Sequence, residues 1–235
     1  MNKGRHEYKY LCSAAQEALF RVRLRCLMQR DVHADKDGAY RVRSLYFDDA
    51  DHTCFYENEN GTDPREKFRL RIYNADSSRI SLECKRKESG KTFKESCTVS
   101  ETQCRSLMEG KQAREESEAP LPYLLKRVNA EISERRLQPS VIVEYDRVPY
   151  VYALGNVRVT FDKNIMSSPA VSRFLEKELP RRGVMACGQE ILEVKWDEFL
   201  PDYIYRALSV GILQRTTFSK FYLCELYGLK GENYL

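Results

Sequence analysis

Long apolar runs are missing from this chain. No stretch approaches the roughly 20 residues needed to span a bilayer. The opening residues, Met1-Asn-Lys-Gly-Arg-His6, hold no apolar core of the kind that directs secretion. A cytoplasmic protein without a transmembrane segment is the expectation. Histidine is scarce, with three residues in 235, and none stands at zinc-finger spacing from a cysteine. The eight cysteines (Cys12, Cys26, Cys54, Cys84, Cys97, Cys104, Cys187 and Cys224) form no Cys-x-x-Cys pair. Scattered free thiols in a reducing compartment fit this better than a disulfide or zinc framework. The chain offers no Ser-His-Asp or Cys-His set, no Walker-type glycine loop, no repeat and no low-complexity linker. Excess charge is small as well. The 39 Lys and Arg stand against 35 Asp and Glu, a net +4. A strong positive field must therefore come from local clustering.

Such clustering is present between Lys67 and Lys94. The first segment reads Lys67-Phe-Arg-Leu-Arg-Ile-Tyr73 and the second Ile80-Ser-Leu-Glu-Cys-Lys-Arg-Lys87; Lys91-Thr-Phe-Lys94 follows a turn. Side chains alternate across a strand. Lys67, Arg69, Arg71 and Tyr73 therefore share one face, with Phe68, Leu70 and Ile72 on the other. Ser81, Glu83, Lys85 and Lys87 oppose Ile80, Leu82 and Cys84 in the same way. Two unit charges about 4 Å apart interact by roughly 4 kcal/mol at an effective dielectric near 20. A sheet face dense in cations is tolerable when water floods it or a polyanion sits on it. Composition alone leaves a solvated outer face open as the simpler reading. Glu83 reads equally well as a counter-ion for Lys85 or for one of the arginines.

The length suits one large domain or two small ones with a substantial core. A first strand is predicted over residues 5–11, with Glu7 and Lys9 on one face and His6, Tyr8 and Tyr10 on the other. Ser13-x-x-Gln16 is a capping box opening a helix to about Met28, with Leu19, Val22, Cys26 and Leu27 on its apolar side. A turn at 35–38 leads to a strand over 41–48, then a looser stretch with a turn at Asn60-Gly61. Strands 66–73, 79–87 and 91–99 form a meander. Ser100-x-x-Gln103, a second capping box, opens two helical pieces that reach about Gln138 and break near Pro120 and Pro122. The dense charge over 109–118 implies a solvated insertion. Strands resume over 140–147, 149–154 and 157–162, with a tight turn at Gly155-Asn156. Residues 169–179 read as helical and 190–196 as a last strand, with Glu193 and Lys195 on one face. Helices are predicted over 202–213 and 220–227, the latter capped by Ser219. His6 and His52 read as surface or boundary residues, and Trp196 and most tyrosines as packing for helices.

Unpaired buried charges cost several kcal/mol each, so a face of Arg and Lys cannot be a packed core. The apolar faces must instead turn outward, under the helices. The expected fold is α+β: an antiparallel eight-stranded closed β-barrel with helices outside and a polar, water- or ligand-filled lumen. Residues 1–235 form one domain, with a helical insertion around 100–138.

An ordered set of short motifs carries a family resemblance over residues 5 to about 229. These are Arg-x-Glu-x-Lys at 5–9, Ser-Leu-Tyr-Phe-Asp at 44–48, Lys-x-Arg-x-Arg-x-Tyr at 67–73, Glu-x-Lys at 83–85, Tyr-x-Arg at 145–147, Arg-x-x-x-Asp at 158–162, Glu-x-Lys at 193–195 and Ser-Lys at 219–220. The chain resembles the VTC-type polyphosphate polymerase domain, in its bacterial stand-alone form, a branch of the triphosphate tunnel metalloenzymes (the CYTH group). The resemblance implies a tunnel that binds ATP and a divalent ion, Mn2+ or Mg2+, and passes the terminal phosphoryl group to inorganic polyphosphate. It implies Lys9, Arg69, Arg71, Lys85, Lys94, Arg147, Arg158 and Lys220 as phosphate ligands. Of these, Arg69, Arg71, Lys85, Arg147 and Arg158 are the catalytic candidates. Tyr145 and Ser219 would hydrogen-bond phosphate, and Glu193 would hold the metal. Lys67, Lys87 and Lys195 complete the candidate substrate-binding set. The chemistry agrees, because phosphoryl transfer asks for positioning and charge neutralisation rather than a covalent protein intermediate. Arg offers a planar donor fork and Lys a point charge.

Two positions depart from the pattern. Arg5 stands where triphosphatase and cyclase relatives carry the first acid of Glu-x-Glu-x-Lys, and Thr217 stands where some polymerases carry lysine. Hydrolysis of triphosphates and non-catalytic polyphosphate binding therefore remain alternatives. Nucleic acid is not expected as a partner, since a lumen of this kind is too narrow for a duplex. A membrane-protein partner is compatible with the absence of a transmembrane segment.

Overall fold

The computed structural model describes residues 4–36, 38–116, 120–209 and 213–230. Ten strands occur among them: β1 (His6–Ser13), β2 (Gln29–Arg30), β3 (Tyr40–Asp48), β4 (Arg65–Tyr73), β5 (Asp76–Glu88), β6 (Lys91–Val99), β7 (Gln138–Tyr152), β8 (Val157–Ser168), β9 (Arg182–Gly183) and β10 (Gln189–Trp196). The helices are α1 (Ala14–Arg25), α2 (Thr53–Glu59), α3 (Glu101–Met108), α4 (Tyr123–Arg135), α5 (Asp202–Leu208) and α6 (Lys220–Lys230). Eight strands form one antiparallel, curled sheet in the order β1-β10-β8-β7-β3-β4-β5-β6. The short β2 and β9 lie on β7 and β8.

The convex face carries most of the apolar side chains, as the alternation requires. Phe68, Leu70, Ile72, Ile80 and Leu82 pack under Cys104 and Leu107 of α3 and Leu124, Leu125 and Val128 of α4. Val148, Tyr150, Val159, Phe161, Leu192 and Val194 pack under Phe20 and Leu24 of α1 and Ile204 and Leu208 of α5. Both capping boxes form: Ser13 with Gln16 and Ser100 with Gln103. They fix where α1 and α3 leave the sheet.

The expected closed barrel is open. Among the described residues, the edge strands β1 and β6 meet at one pair, Arg5 and Thr92, through two backbone hydrogen bonds of 3.0 and 3.1 Å. The expected polar lumen is only part of the interior. Val42, Val141, Val143, Tyr145, Ile165 and Ile191 belong to an apolar cluster with Phe221 and Cys224 of α6. These strand residues lie on the concave side, so α6 sits inside the curl. The two corrections share a cause. An eight-stranded barrel is just wide enough inside for side chains, whereas a helix is about 10–12 Å across with its own. A sheet that wraps a helix cannot close its ladder.

Other predictions shift locally. The buried side of α1 is Glu17, Phe20 and Leu24, while Leu19, Val22 and Cys26 are exposed. The predicted helix over 169–179 is only a 3-10 turn, Val171–Arg173. The carbonyls beyond it do not run up a helix; those of Phe174, Glu176 and Lys177 accept from the guanidinium of Arg43, which is itself fully buried against Glu144. The loose stretch before β4 contains α2. Its amides on Cys54 and Phe55 donate to the Asp48 carboxylate at 2.8 and 3.0 Å, a helix start tied down from the preceding strand. The predicted helix over 202–213 ends at Leu208. Residues 210–212 of that prediction lie outside the described residues, as do Asp37 of the predicted turn and residues 117–118 of the charged stretch. The described part of that stretch is largely exposed, with Ala113 buried.

Candidate functional site

The cations predicted from alternation do converge. Between α6 and the open edge lies a hollow of about 210 Å³. Arg5, Lys9, Lys67, Arg69, Arg71, Lys85, Lys94, Arg147, Lys195 and Lys220 line it, against only two carboxylates, Glu7 and Glu193. Tyr145 and Ser219 line it as well. Beside it lies a second chamber of about 420 Å³, where Lys87, Arg65 and Arg215 join Lys9, Lys67 and Lys85. Lys87 therefore faces the second chamber. Arg158 lies apart from both: its guanidinium donates to Asp31 at 2.8 Å and to the Tyr40 hydroxyl at 2.7 Å.

Strand register explains the convergence. Lys67 opposes Lys85, and Lys85 opposes Lys94 on its other side. Lys9 opposes Glu193, and Glu7 opposes Lys195. On the β3 side, α6 enters behind Ser219, whose hydroxyl accepts from the Tyr222 amide at 3.3 Å. That cap delivers Lys220 and Phe221 to the wall of the hollow. Residues 215–218 lie beside the free edge of β1, where the Thr216 amide donates to the Lys9 carbonyl at 2.9 Å.

Two buried carboxylates stand behind the cations and hold them in place. Glu83 accepts from Arg69 Nε at 2.8 Å, and Lys94 Nζ lies 2.6 Å away. It is therefore a counter-ion of Arg69, Arg71 and Lys94, whereas Lys85 pairs with Glu7. Asp162, fully buried, takes Arg147 bidentately at 2.6 and 2.8 Å and Lys220 at 2.6 Å. Burial pushes both carboxyls up, but these cations outweigh it and hold both below the usual carboxylate range. The same balance brings Glu7 down to about 2, where Lys85 and Lys9 overcome burial, and holds Glu193 well below its ordinary value. The role of Asp162 was visible in the sequence only as the end of a motif. Tyr46 and Phe221 are lining residues that the charge pattern did not flag. Tyr46 accepts from Arg69 at 2.7 Å.

The lysines show the opposite effect. Burial, with Arg65 and Lys85 nearby, pushes Lys67 down to about 7. Burial, with Lys9 and Lys195 nearby and Glu7 opposing, pushes Lys85 down to about 8. A bound polyanion favours their charged forms and raises both. Binding of such a polyanion should accordingly take up protons between about pH 7 and 9, and affinity should fall as pH rises through that window. Calorimetry in buffers of different ionisation enthalpy measures the uptake. A Lys67→Arg variant, which stays charged, should reduce it.

The VTC domain model matches residues 4–225. The chain belongs to the VTC domain family. No curated protein matches this VTC domain. Similar solved structures include the PH1819 protein from Pyrococcus horikoshii, at 11% identity over 93% of this chain and 97% of that one, with a TM-score of 0.48. A candidate adenylate cyclase from Bacillus halodurans is 14% identical over 87% of each chain, with a TM-score of 0.47. The Mimivirus capping enzyme triphosphatase is 8% identical over 89% of this chain and 91% of that one, with a TM-score of 0.41.

Proposed function

We propose that this VTC domain is a polyphosphate polymerase that transfers the terminal phosphoryl group of ATP to an inorganic polyphosphate chain. The observation that carries the reading is the hollow itself, where ten cations outnumber the two carboxylates of the lining and the three behind it, Glu83, Asp162 and Asp197. Linked phosphates supply the missing negative charge in a compact form.

Among the described residues, no three His, Cys, Asp or Glu side chains gather into a metal cage. Glu7 and Glu193 do both approach Lys9 Nζ, at 3.1 and 3.8 Å. A pair of carboxylates suits Mg2+ or Mn2+, hard ions often held by one or two carboxylates while phosphates and water complete the shell. Glu193, with Glu7 beside it, would hold the ion, which when bound offsets phosphate charge. The protein's own residues position the reactants. Glu83 and Tyr46 engage three of the five N–H groups of Arg69, leaving two for phosphate. Asp162 fixes Arg147 through Nε and Nη2, leaving Nη1 for the ligand. The terminal oxygen of the chain, already ionised, attacks the γ-phosphorus. The bond to the ADP oxygen breaks, and ADP leaves with that electron pair. No general base is required.

Arg5 favours transfer over two-metal hydrolysis. Its guanidinium is tied to Asp197 at 2.7 Å, at the position where the hydrolytic relatives carry an acid. The test is incubation with ATP and Mn2+ or Mg2+, with and without a short polyphosphate primer. The expected result is a ladder of chains and one ADP per unit added. Phosphate release without chain growth would point to a triphosphatase. Binding that survives chelation, with no turnover under either ion, would point to a non-catalytic polyphosphate module.

A further inference from the structure

A linear polymer can enter a ring-shaped site by its end or through a gap in the wall. The wall here has such a gap. The hollow and the second chamber are neighbours, with Glu7, Lys9, Lys67, Lys85, Thr92 and Ser219 in both linings. Thr92 belongs to both linings, and among the described residues Arg5–Thr92 is the only backbone pair joining β1 to β6. Among the described residues, the cross-seam support beside it is Lys85 Nζ on Glu7 at 2.9 Å, with Phe93 and Lys91 close against Gly4. Past this bar, Lys94, Ser96 and Thr98 lie exposed along β6. Among the described residues, no strand pairs with β6 on that side apart from the bridge. By contrast, every other neighbouring pair in the eight-strand path is joined by a ladder of at least five register positions.

We propose that the Arg5–Thr92 bar is the latch of a side entrance, and that the site takes up internal stretches of a linear polyanion side-on, without needing a free end. The inference rests on the phosphate-binding reading above and adds the class of ligand that reading leaves open: chains blocked at both ends. Cations flank the entrance on both sides, with Lys85, Lys87 and Lys94 on one strand pair and Lys9 and Lys195 on the other. The ligand therefore meets matching charge as it passes the latch. Opening the latch breaks two backbone hydrogen bonds. Inserted phosphates can take over Lys85 from Glu7.

The test uses polyphosphate carrying a streptavidin cap at each end, a cap wider than the hollow. Binding is read without nucleotide, by competition against triphosphate so that only occupancy of the hollow is scored. The wild type should bind the doubly capped chain within about threefold of the uncapped one. An antiparallel pair that exchanges both hydrogen bonds has Cα atoms about 5.5 Å apart, which suits a disulfide. In an Arg5→Cys, Thr92→Cys variant that also carries Cys26→Ser and Cys187→Ser, oxidation should weaken doubly capped binding by about 100-fold. Triphosphate binding should stay at the level of the reduced form, and reductant should restore the capped chain. A wild type that takes uncapped but not capped chains overturns the proposal. So does an oxidised variant, its cross-link confirmed by mass, that binds capped chains as well as its reduced form. If no form binds triphosphate at all, the phosphate-binding reading itself falls, a result distinct from the other two.

Discussion

Asp162→Ala should lower the melting temperature by about 10 °C, and triphosphate should restore much of the loss. Asp162 is fully buried and serves two cations, the buried Arg147 and the half-buried Lys220. Removing one partner of a buried ion pair costs about 3–5 kcal/mol, because the charge left behind has no counterpart. For a chain of about 150–250 residues, each kcal/mol moves the midpoint by about 2–4 °C. The hollow offers the orphaned cations another source of negative charge, so ligand should stabilise the variant more than the wild type. The pH dependence has a definite sign. The folded-state pKa of Asp162 lies below the unfolded value of about 3.9. Its contribution is therefore fully present above that unfolded value and is lost as pH falls through the folded one. The gap between variant and wild type should stay constant from pH 5 to 7 and shrink below about pH 4. Differential scanning fluorimetry across pH, with and without triphosphate, measures both effects. A variant as stable as the wild type at pH 7 would refute the buried clamp.

Glu193→Gln should separate binding from turnover. Lys195 at 3.2 Å, Arg147 at 3.3 Å and Lys9 at 3.8 Å surround this carboxylate. In chelator, neutralising it releases those cations to the ligand, and triphosphate should bind about tenfold more tightly. With Mn2+, chain growth should fall by about 100-fold or more, because the carboxylate that would hold the ion is gone. Opposite movement of the two readouts is the signature. Parallel loss of both would make Glu193 a structural counter-ion and remove it as the metal anchor. Calorimetry in EDTA and a chain-growth assay are the two measurements.

Period-two alternation made much of this site readable in the sequence. Lys67, Arg69, Arg71 and Lys85 follow from two short segments because strand side chains alternate whatever the fold. Pairing was harder, since it depends on register between distant segments. Arg69 faces Glu83 across β4 and β5, a local hairpin. Arg147 meets Asp162 across β7 and β8, where the ladder shifts register between Glu144 and Asp146. Arg158 carries the right chemistry on the right strand, yet Asp31 and Tyr40 hold it outside both chambers. The internal position of α6 had a signal that alternation analysis passes over. Val141-Ile-Val143 and Leu45-Tyr-Phe47 are apolar at consecutive positions, as strands covered on both faces are. Each needed something to cover its second face. The missed coil over 169–179 had no such signal, because its carbonyls are claimed by Arg43 from a distant strand.

The helix within the curl has a consequence for the size of what the protein can hold. In a plain barrel, capacity follows from strand number and tilt, and changing it means rebuilding the circumference. Here part of the wall is the ring of Phe221, carried on the enclosed helix and tilted against Tyr46 at 5.1 Å between centroids. Trimming or enlarging that single side chain would deepen or shorten the vessel like a piston head in a fixed cylinder.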